Sequence, residues 1–300
     1  MKKFILNFLL FSFPIIFLFL LFILLLPTVP NDYSYKNNYL IKNAEKIEVL
    51  ILGSSHSYYG INPSYFSFNT FNSAHVSQDL KYDLLIFNKF KNHLKNLNFV
   101  ILPISYFTFF SLLEESKENW RIQYYNIYYL NKFVEIDKIN IKGSIESIIK
   151  YYILHKSNIN VNQLGFNSRD MKKQNITKSF EITGKEAALR HTEDNFNNLI
   201  LNKERLEQLL NHCIYSNIKV ILFTPPALDF YTKNLNLHQL EIAEKTLREI
   251  TKSYKNVSYY NLLNDKRFDK QDFYDADHVN YFGAKKLSNI LNEIVYSNSP

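Results

Sequence analysis

Two short blocks near opposite ends of this 300-residue chain hold residue types that can do acyl chemistry together. The first, Gly53-Ser54-Ser55-His56-Ser57, directly follows the apolar run Ile47-Glu48-Val49-Leu50-Ile51-Leu52. A hydroxyl held at a strand-to-helix turn projects from the sheet edge, and the N–H groups of the turn face the same space. That geometry suits a nucleophile with part of an oxyanion hole. The second block is Asp275-Ala276-Asp277-His278, followed by Asn280-Tyr281-Phe282-Gly283-Ala284. In a bend, Asp275 folds back onto the imidazole three residues ahead. Its carboxylate keeps one ring nitrogen protonated and leaves the other as a base toward a serine. Thr224-Pro225-Pro226, where the run Ile218–Phe223 stops, brings a third turn to the same edge.

Each residue has a plainer reading. Ser55 alone reads as a turn serine capping a helix; the Asp275/His278 pair is what selects it as nucleophile. Asp275, Asp277 and His278 also have metal-ligand chemistry, but the sequence places no further His or carboxylate to complete a shell, so no metal is expected. No organic cofactor is expected either, because an acyl group travels on the serine itself. His56, beside the nucleophile, is expected to touch substrate, and His75 and His93 to lie at the surface or behind the site. Cys213, on a helix face, reads as an inert apolar filler.

The elements that must position these residues alternate. Strand-like runs cover 47–52, 70–73, 99–104, 218–223 and 257–260, and helical periodicity covers 79–96, 196–216, 237–254 and 284–295. This alternation predicts parallel pairing with right-handed crossovers, hence a three-layer α/β/α domain with a flavodoxin-like five-stranded parallel sheet over 45–300. Chemistry in such sheets collects at the carboxyl ends of strands. The alternation breaks over 105–190, a stretch carrying Tyr106-Phe107-Thr108-Phe109-Phe110, Tyr124-Tyr125, Tyr128-Tyr129, Tyr151-Tyr152 and Trp120. It reads as a mostly helical insertion whose aromatics pack against the sheet; the alternative is a sugar-stacking wall beside the site.

Composition narrows the class. Hydrophobic residues at 46 % allow a sizeable core, and one cysteine excludes a disulfide-stapled or cysteine-rich metal scaffold. The net charge of +7 is interleaved with acids rather than gathered on one face, so no nucleic-acid partner is expected. Lys2 and Lys3 precede an apolar run from Phe4 to Leu26, broken only by Asn7, Ser12 and Pro14. As a helix it is about 34 Å long, enough for a bilayer core of roughly 30 Å. Pro27-Thr28-Val29-Pro30-Asn31-Asp32 offers no small-residue cleavage site. Residues 1–27 are therefore expected to be an uncleaved single-pass signal anchor in the cell membrane and 28–44 a polar tether. The positive-inside rule places the remainder on the extracytoplasmic side.

Gly53-Ser54-Ser55 after an apolar strand resembles the nucleophile block of the SGNH (GDSL-like) hydrolases, and Asp275-x-x-His278 resembles their last block. The resemblance spans roughly 47–295 and looks closest to membrane-anchored relatives in cell-envelope polysaccharide modification, including alginate O-acetyltransferase-like proteins. It implies that Ser55, His278 and Asp275 form a triad and that the N–H groups of Ser55 and Ser77 form the oxyanion hole. His56, Asn72, Ser105 and Tyr106 are the substrate contacts expected around it. It further implies an esterase or O-acyltransferase working on an ester-modified envelope glycan, with an acyl-supplying membrane partner; the alternative is a catalytically silent scaffold or glycan-binding subunit. Three departures stand out: Ser54 replaces a frequent Asp, 72–78 holds no glycine, and Ile104-Ser105-Tyr106-Phe107 lacks the third block's asparagine. Losing one oxyanion donor costs about 3–4 kcal/mol of transition-state stabilisation.

Overall fold

The computed structural model describes residues 1–132, 139–168, 179–193 and 196–299. Five parallel strands, β1 (Val49–Ile51), β2 (Thr70–Asn72), β3 (Phe99–Pro103), β4 (Lys219–Thr224) and β5 (Val257–Asn261), form one sheet in the order β2-β1-β3-β4-β5. This is the flavodoxin-like order, with helices on both faces. The strands are short and almost wholly buried, which is why they read as continuous apolar runs rather than alternating ones. Only β5, at the sheet edge, is half-buried along most of its length.

The helices at 80–90, 199–215 and 237–253 match periodic segments of the sequence trimmed at their ends, the last helix runs past the expected 284–295 at both ends, and the short helix at 55–60 had no periodic signal. From β1 onward the helices include α3 (Ser55–Gly60), α4 (Leu80–Phe90), α5 (Ile141–Tyr152), α6 (Phe180–His191), α7 (Leu199–Tyr215), α8 (Leu237–Ser253) and α9 (Tyr281–Ser297), with α5 and α6 between β3 and β4. On one face α3 packs on α9. There Leu287, Ile290, Leu291 and Val295 meet Val49, Ile51, Phe99, Ile101, Ile221 and Phe223. Each such fully buried aliphatic side chain contributes about 1.5–3 kcal/mol. On the other face α4 packs on α7. The start of α4 is set by Asp79, whose side chain accepts from the N–H groups of Lys81 and Tyr82.

The chain forms two compact units. The sheet belongs to the unit of 38–119 and 161–300; residues 1–37 and 120–160 make up the other. The insertion expected over 105–190 is therefore divided: 120–160 joins the amino-terminal residues. In that unit α1 (Lys2–Leu25) runs through Pro14, and its window Leu10–Thr28 has mean hydropathy 2.8. By length and composition it can cross a membrane. Residues expected as an irregular tether form α2 (Asp32–Asn43), whose entry Asn31 caps by accepting from Tyr33 and Ser34 N–H. Tyr33 stacks on Tyr124 at 4.9 Å and meets Tyr125 edge-on at 5.1 Å. The expectation that these insertion tyrosines pack on the sheet is corrected: Tyr124, Tyr125 and Tyr128 gather around 28–33. Here α5 (Ile141–Tyr152) completes the unit, while α6 (Phe180–His191) belongs with the sheet.

Gly53 ends β1 with φ +106°, and a Cβ there would lie 2.3 Å from Pro103 Cδ and Cγ. Both the left-handed backbone and the contact demand glycine. Gly53→Ala is expected to cost about 2 kcal/mol or more, lowering the melting temperature by roughly 4–8 °C. A thermal melt of the detergent-solubilised protein checks this; an unchanged midpoint would remove the requirement.

Candidate active site

The nucleophile turn is held from below. Gly53 N–H donates to Asp83 Oδ1 at 2.7 Å, and Gln78 Nε2 donates to the same oxygen at 2.6 Å. Burial nevertheless pushes the Asp83 carboxyl up to about 7, against the pull of those two bonds. Ser73 N–H donates to Ile51 O at 2.8 Å and His75 N–H to Gly53 O at 3.2 Å, so the loop after β2 is bonded to the turn after β1. Ser54, not Ser55, is the N-cap of α3. The plain capping role for Ser55 therefore falls away, and its hydroxyl is directed elsewhere.

That partner is His278. The loop carrying it is fixed from three sides. Asn280 caps α9 by accepting from Phe282 and Gly283 N–H, while its amide donates to Gln271 O and Phe273 O. Leu228 N–H, beyond β4, donates to Ala276 O at 2.9 Å, and Ala276 N–H donates to Thr183 Oγ1 of α6 at 3.3 Å. Asp275 Oδ1 accepts the backbone N–H groups of His278 (2.8 Å) and Asp277 (3.2 Å). With the bend so closed, His278 Nδ1 lies 2.9 Å from Asp275 Oδ1, and Nε2 lies 2.8 Å from Ser55 Oγ. Hydroxyl, imidazole and carboxylate are thus in line; in the neutral ring with the proton on Nδ1, Nδ1–H donates to Asp275 and Nε2 accepts from Ser55.

A second carboxylate stands behind this relay. Asp277 is buried, with Oδ1 3.5 Å from His278 Nδ1. Its Oδ2 lies 3.8 Å from His56 Nε2 and 4.0 Å from His191 Nδ1, and has no direct hydrogen-bond partner among the described residues. His56 stacks on His278 with centroids 4.9 Å apart and planes 16° apart. Burial opposes protonation of His278, but the Asp275 and Asp277 carboxylates outweigh it and raise the imidazole to about 9. Burial also opposes ionisation of Asp277, and there the charge on His278 prevails and holds the carboxyl well below its usual range. Burial lowers His56, and lowers His191 to about 3, so both rings are neutral near pH 7.

The expected contacts divide sharply. Ser105 is buried, with Oγ 3.0 Å from His56 Nδ1, so it reaches the site through His56. His56 is itself buried between Ser105, Ser54 and His278. Asn72 is corrected from substrate contact to scaffold: it is wholly buried, and its amide donates to Ser57 O and Ile61 O at 2.8 Å. Tyr106 is likewise corrected, since its buried ring packs with Ala187, Ala188 and Tyr231 while its hydroxyl binds Thr192 Oγ1 and Asn236 N–H. His75 is buried, and His93 is exposed. Thr224 is structural, its Oγ1 donating to Ile104 O at 3.1 Å. The ground for expecting no metal does not hold: His56 joins Asp277 and His278, and potential ligand atoms of the three lie within 4.8 Å of one another. His191 and Asp277 as a second carboxylate were not legible beforehand, while Phe107, 4.2 Å from His191, belongs to the aromatic stretch for which a wall beside the site was the alternative reading. Of the first two, only the position of Asp277 next to His278 offered a signal.

No family model matches the chain, and no curated protein matches it. Solved structures do. One, described as a platelet activating factor from Streptococcus pneumonia, shares 11 % identity and a TM-score of 0.45, over 88 % of this chain and 91 % of its own. A GDSL-like lipase from Bacteroides thetaiotaomicron shares 10 % identity at TM-score 0.42, over 89 % and 100 %. A protein described as an acylhydrolase from Bacteroides fragilis shares 10 % at 0.43, over 86 % and 94 %. Likeness of this size is one of fold outline, and the chemistry rests on the distances above.

An imidazole placed as His278 is can accept a proton from Ser55 only when neutral. With its imidazole raised to about 9, roughly one molecule in a hundred is competent at pH 7. The kcat/KM of an ester substrate is expected to climb with pH on a limb reaching toward 9. Asp277→Asn removes one of the two raising carboxylates and keeps Asp275, so its limb moves to lower pH. A pH–rate profile on both forms is the check, and superimposable limbs would deny Asp277 any hold on His278.

Proposed function

We propose that the chain is a membrane-tethered serine esterase or O-acyltransferase acting on an ester-modified cell-envelope glycan. The observation that carries this reading is the continuous relay from Ser55 Oγ through His278 to Asp275, at 2.8 and 2.9 Å. Ser55 Oγ attacks the acyl carbonyl as His278 Nε2 takes its proton. The tetrahedral oxyanion is received by the backbone N–H groups of Ser55 and Ser77. Collapse expels the alcohol, which takes the proton from His278, and the acyl group remains on Ser55 as an ester. Water or a glycan hydroxyl then gives its proton to His278 and attacks that ester, freeing the serine.

Ser77 supports its assigned role through backbone conformation. Its φ is +59°, the left-handed region that glycine enters without strain, and the loop carrying it is bonded to Gly53 through His75. A glycine is therefore not needed for the turn to form, although 72–78 has none. Ser55, Tyr59, Phe107, His191, Asp275 and His278 are half-buried; the Tyr59 ring meets His278 edge-on at 6.3 Å, and the Phe107 ring lies against His56 and His191 at 6.0 and 4.2 Å. Such rings suit stacking against a sugar face. The anchor α1 and the resemblance to envelope-polysaccharide enzymes support the glycan, the extracytoplasmic placement and a membrane partner that supplies the acyl group. A silent scaffold would favour Ser55 and His278 turned apart, whereas their 2.8 Å contact favours catalysis.

A fluorophosphonate probe is expected to label the wild-type protein and not Ser55→Ala; equal labelling of both would sink the assignment. Release from a chromogenic acetyl ester, followed with and without added glycan, then separates the two reactions. Acceleration by the acceptor marks transfer, and indifference to it marks hydrolysis.

A further inference from the structure

We infer that the exposed apolar face of α5 docks on the surface of the bilayer that holds α1. Ile141, Ile145, Ile149 and Tyr152 recur at i, i+4, i+8 and i+11, so they form one stripe along the helix. All four are exposed, as are Ile153 and Leu154 immediately beyond, with Ile153 at 68 % and Leu154 at 54 %. An exposed aliphatic face of that length on a half-polar helix is the pattern of an interfacial membrane helix.

The occupant follows from what adjoins the stripe. Tyr152, its last member, has its hydroxyl 2.7 Å from Thr28 Oγ1, at the end of the apolar window of the anchor. Tyr128 holds the same level, accepting from Asn31 Nδ2 at 3.0 Å and donating to Val29 O at 3.1 Å. A tyrosine pair at the exit of a spanning helix stands where headgroups meet hydrocarbon. Lys142, Lys150 and Lys156 accompany the stripe, with Glu146 the only acid over 141–160, which suits anionic headgroups. The opposite side of α5 is already occupied: Ser144 is buried and donates to Gln123 Oε1 at 3.4 Å. The lipid surface thus continues from the anchor onto α5, giving the amino-terminal unit two attachments instead of one.

The inference rests on reading α1 as a membrane anchor, so the test addresses the two separately. Full-length protein carrying Phe17→Cys, Ile145→Cys or Tyr215→Cys is labelled with a thiol-reactive bimane. Cys213 stays unlabelled, because it is buried and its thiol is pushed up to about 12. Each form is reconstituted into phosphatidylcholine–phosphatidylglycerol vesicles with or without acyl-brominated lipid. Bromine is expected to quench the labels at 17 and 145 at least twofold and to leave that at 215 unchanged. Quenching at 17 without quenching at 145 overturns the inference while the anchor stands. No quenching at either removes the anchor and the inference together. A blue-shifted label at 145 that ignores bromine marks a protein partner or a second copy and also overturns it, as does equal quenching at 145 and 215.

Discussion

The contact between Ser55 Oγ and His278 Nε2 joins groups 223 positions apart in the chain, and most of the sheet-bearing unit is organised so that it forms. A hydrogen bond of this kind tolerates only a few tenths of an ångström of misplacement. The two loops that carry its partners must therefore be held more firmly than surface loops usually are. Each is restrained by backbone bonds from other elements: the Gly53 turn by Asp83 and the loop after β2, the Asp275–His278 bend by the residue after β4, by α6 and by the cap of α9. The parallel sheet supplies the common edge, and its hydrophobic faces supply the rigidity.

Charge at that edge is arranged unevenly. One imidazole sits between two carboxylates, while the rings of His56 and His191 are kept neutral by burial. The two carboxylates favour the protonated form of His278, so loss of that proton is the pH-sensitive event. Asp277 sustains this although its Oδ2 has no direct hydrogen bond among the described residues, because the neighbouring imidazolium stabilises its charge at short range. Of the two carboxylates, Asp275 orients the ring of His278 and Asp277 chiefly polarises it. Those roles separate because only Asp275 closes onto the backbone of its own bend.

Much of this was legible in the sequence, for identifiable reasons. The strands at 49–51, 99–103 and 219–224 are continuous apolar runs because both faces are covered, and the helices keep their 3.6-residue period. The Asp275–His278 contact is local, three residues apart, so spacing alone exposed it. The helix 32–43 was hidden because its buried positions Tyr33, Lys36, Asn37 and Leu40 mix polar and apolar types, leaving no apolar stripe to read. Asn72 and Tyr106 misled for a related reason: a polar side chain near a strand end looks available, yet here each satisfies buried backbone groups.

By itself the sequence determined the alternating elements, the long apolar amino-terminal segment and the chemistry available in each end block, since these depend on residue type and on neighbours a few positions away. Only the tertiary structure decided that Asp277, His56 and His191 converge, and that Tyr124, Tyr125 and Tyr128 of the insertion surround the residues after α1 rather than the sheet. Those outcomes depend on chain segments separated by tens to hundreds of positions. Which of them meet is settled by how the apolar faces pack, and no local pattern encodes it.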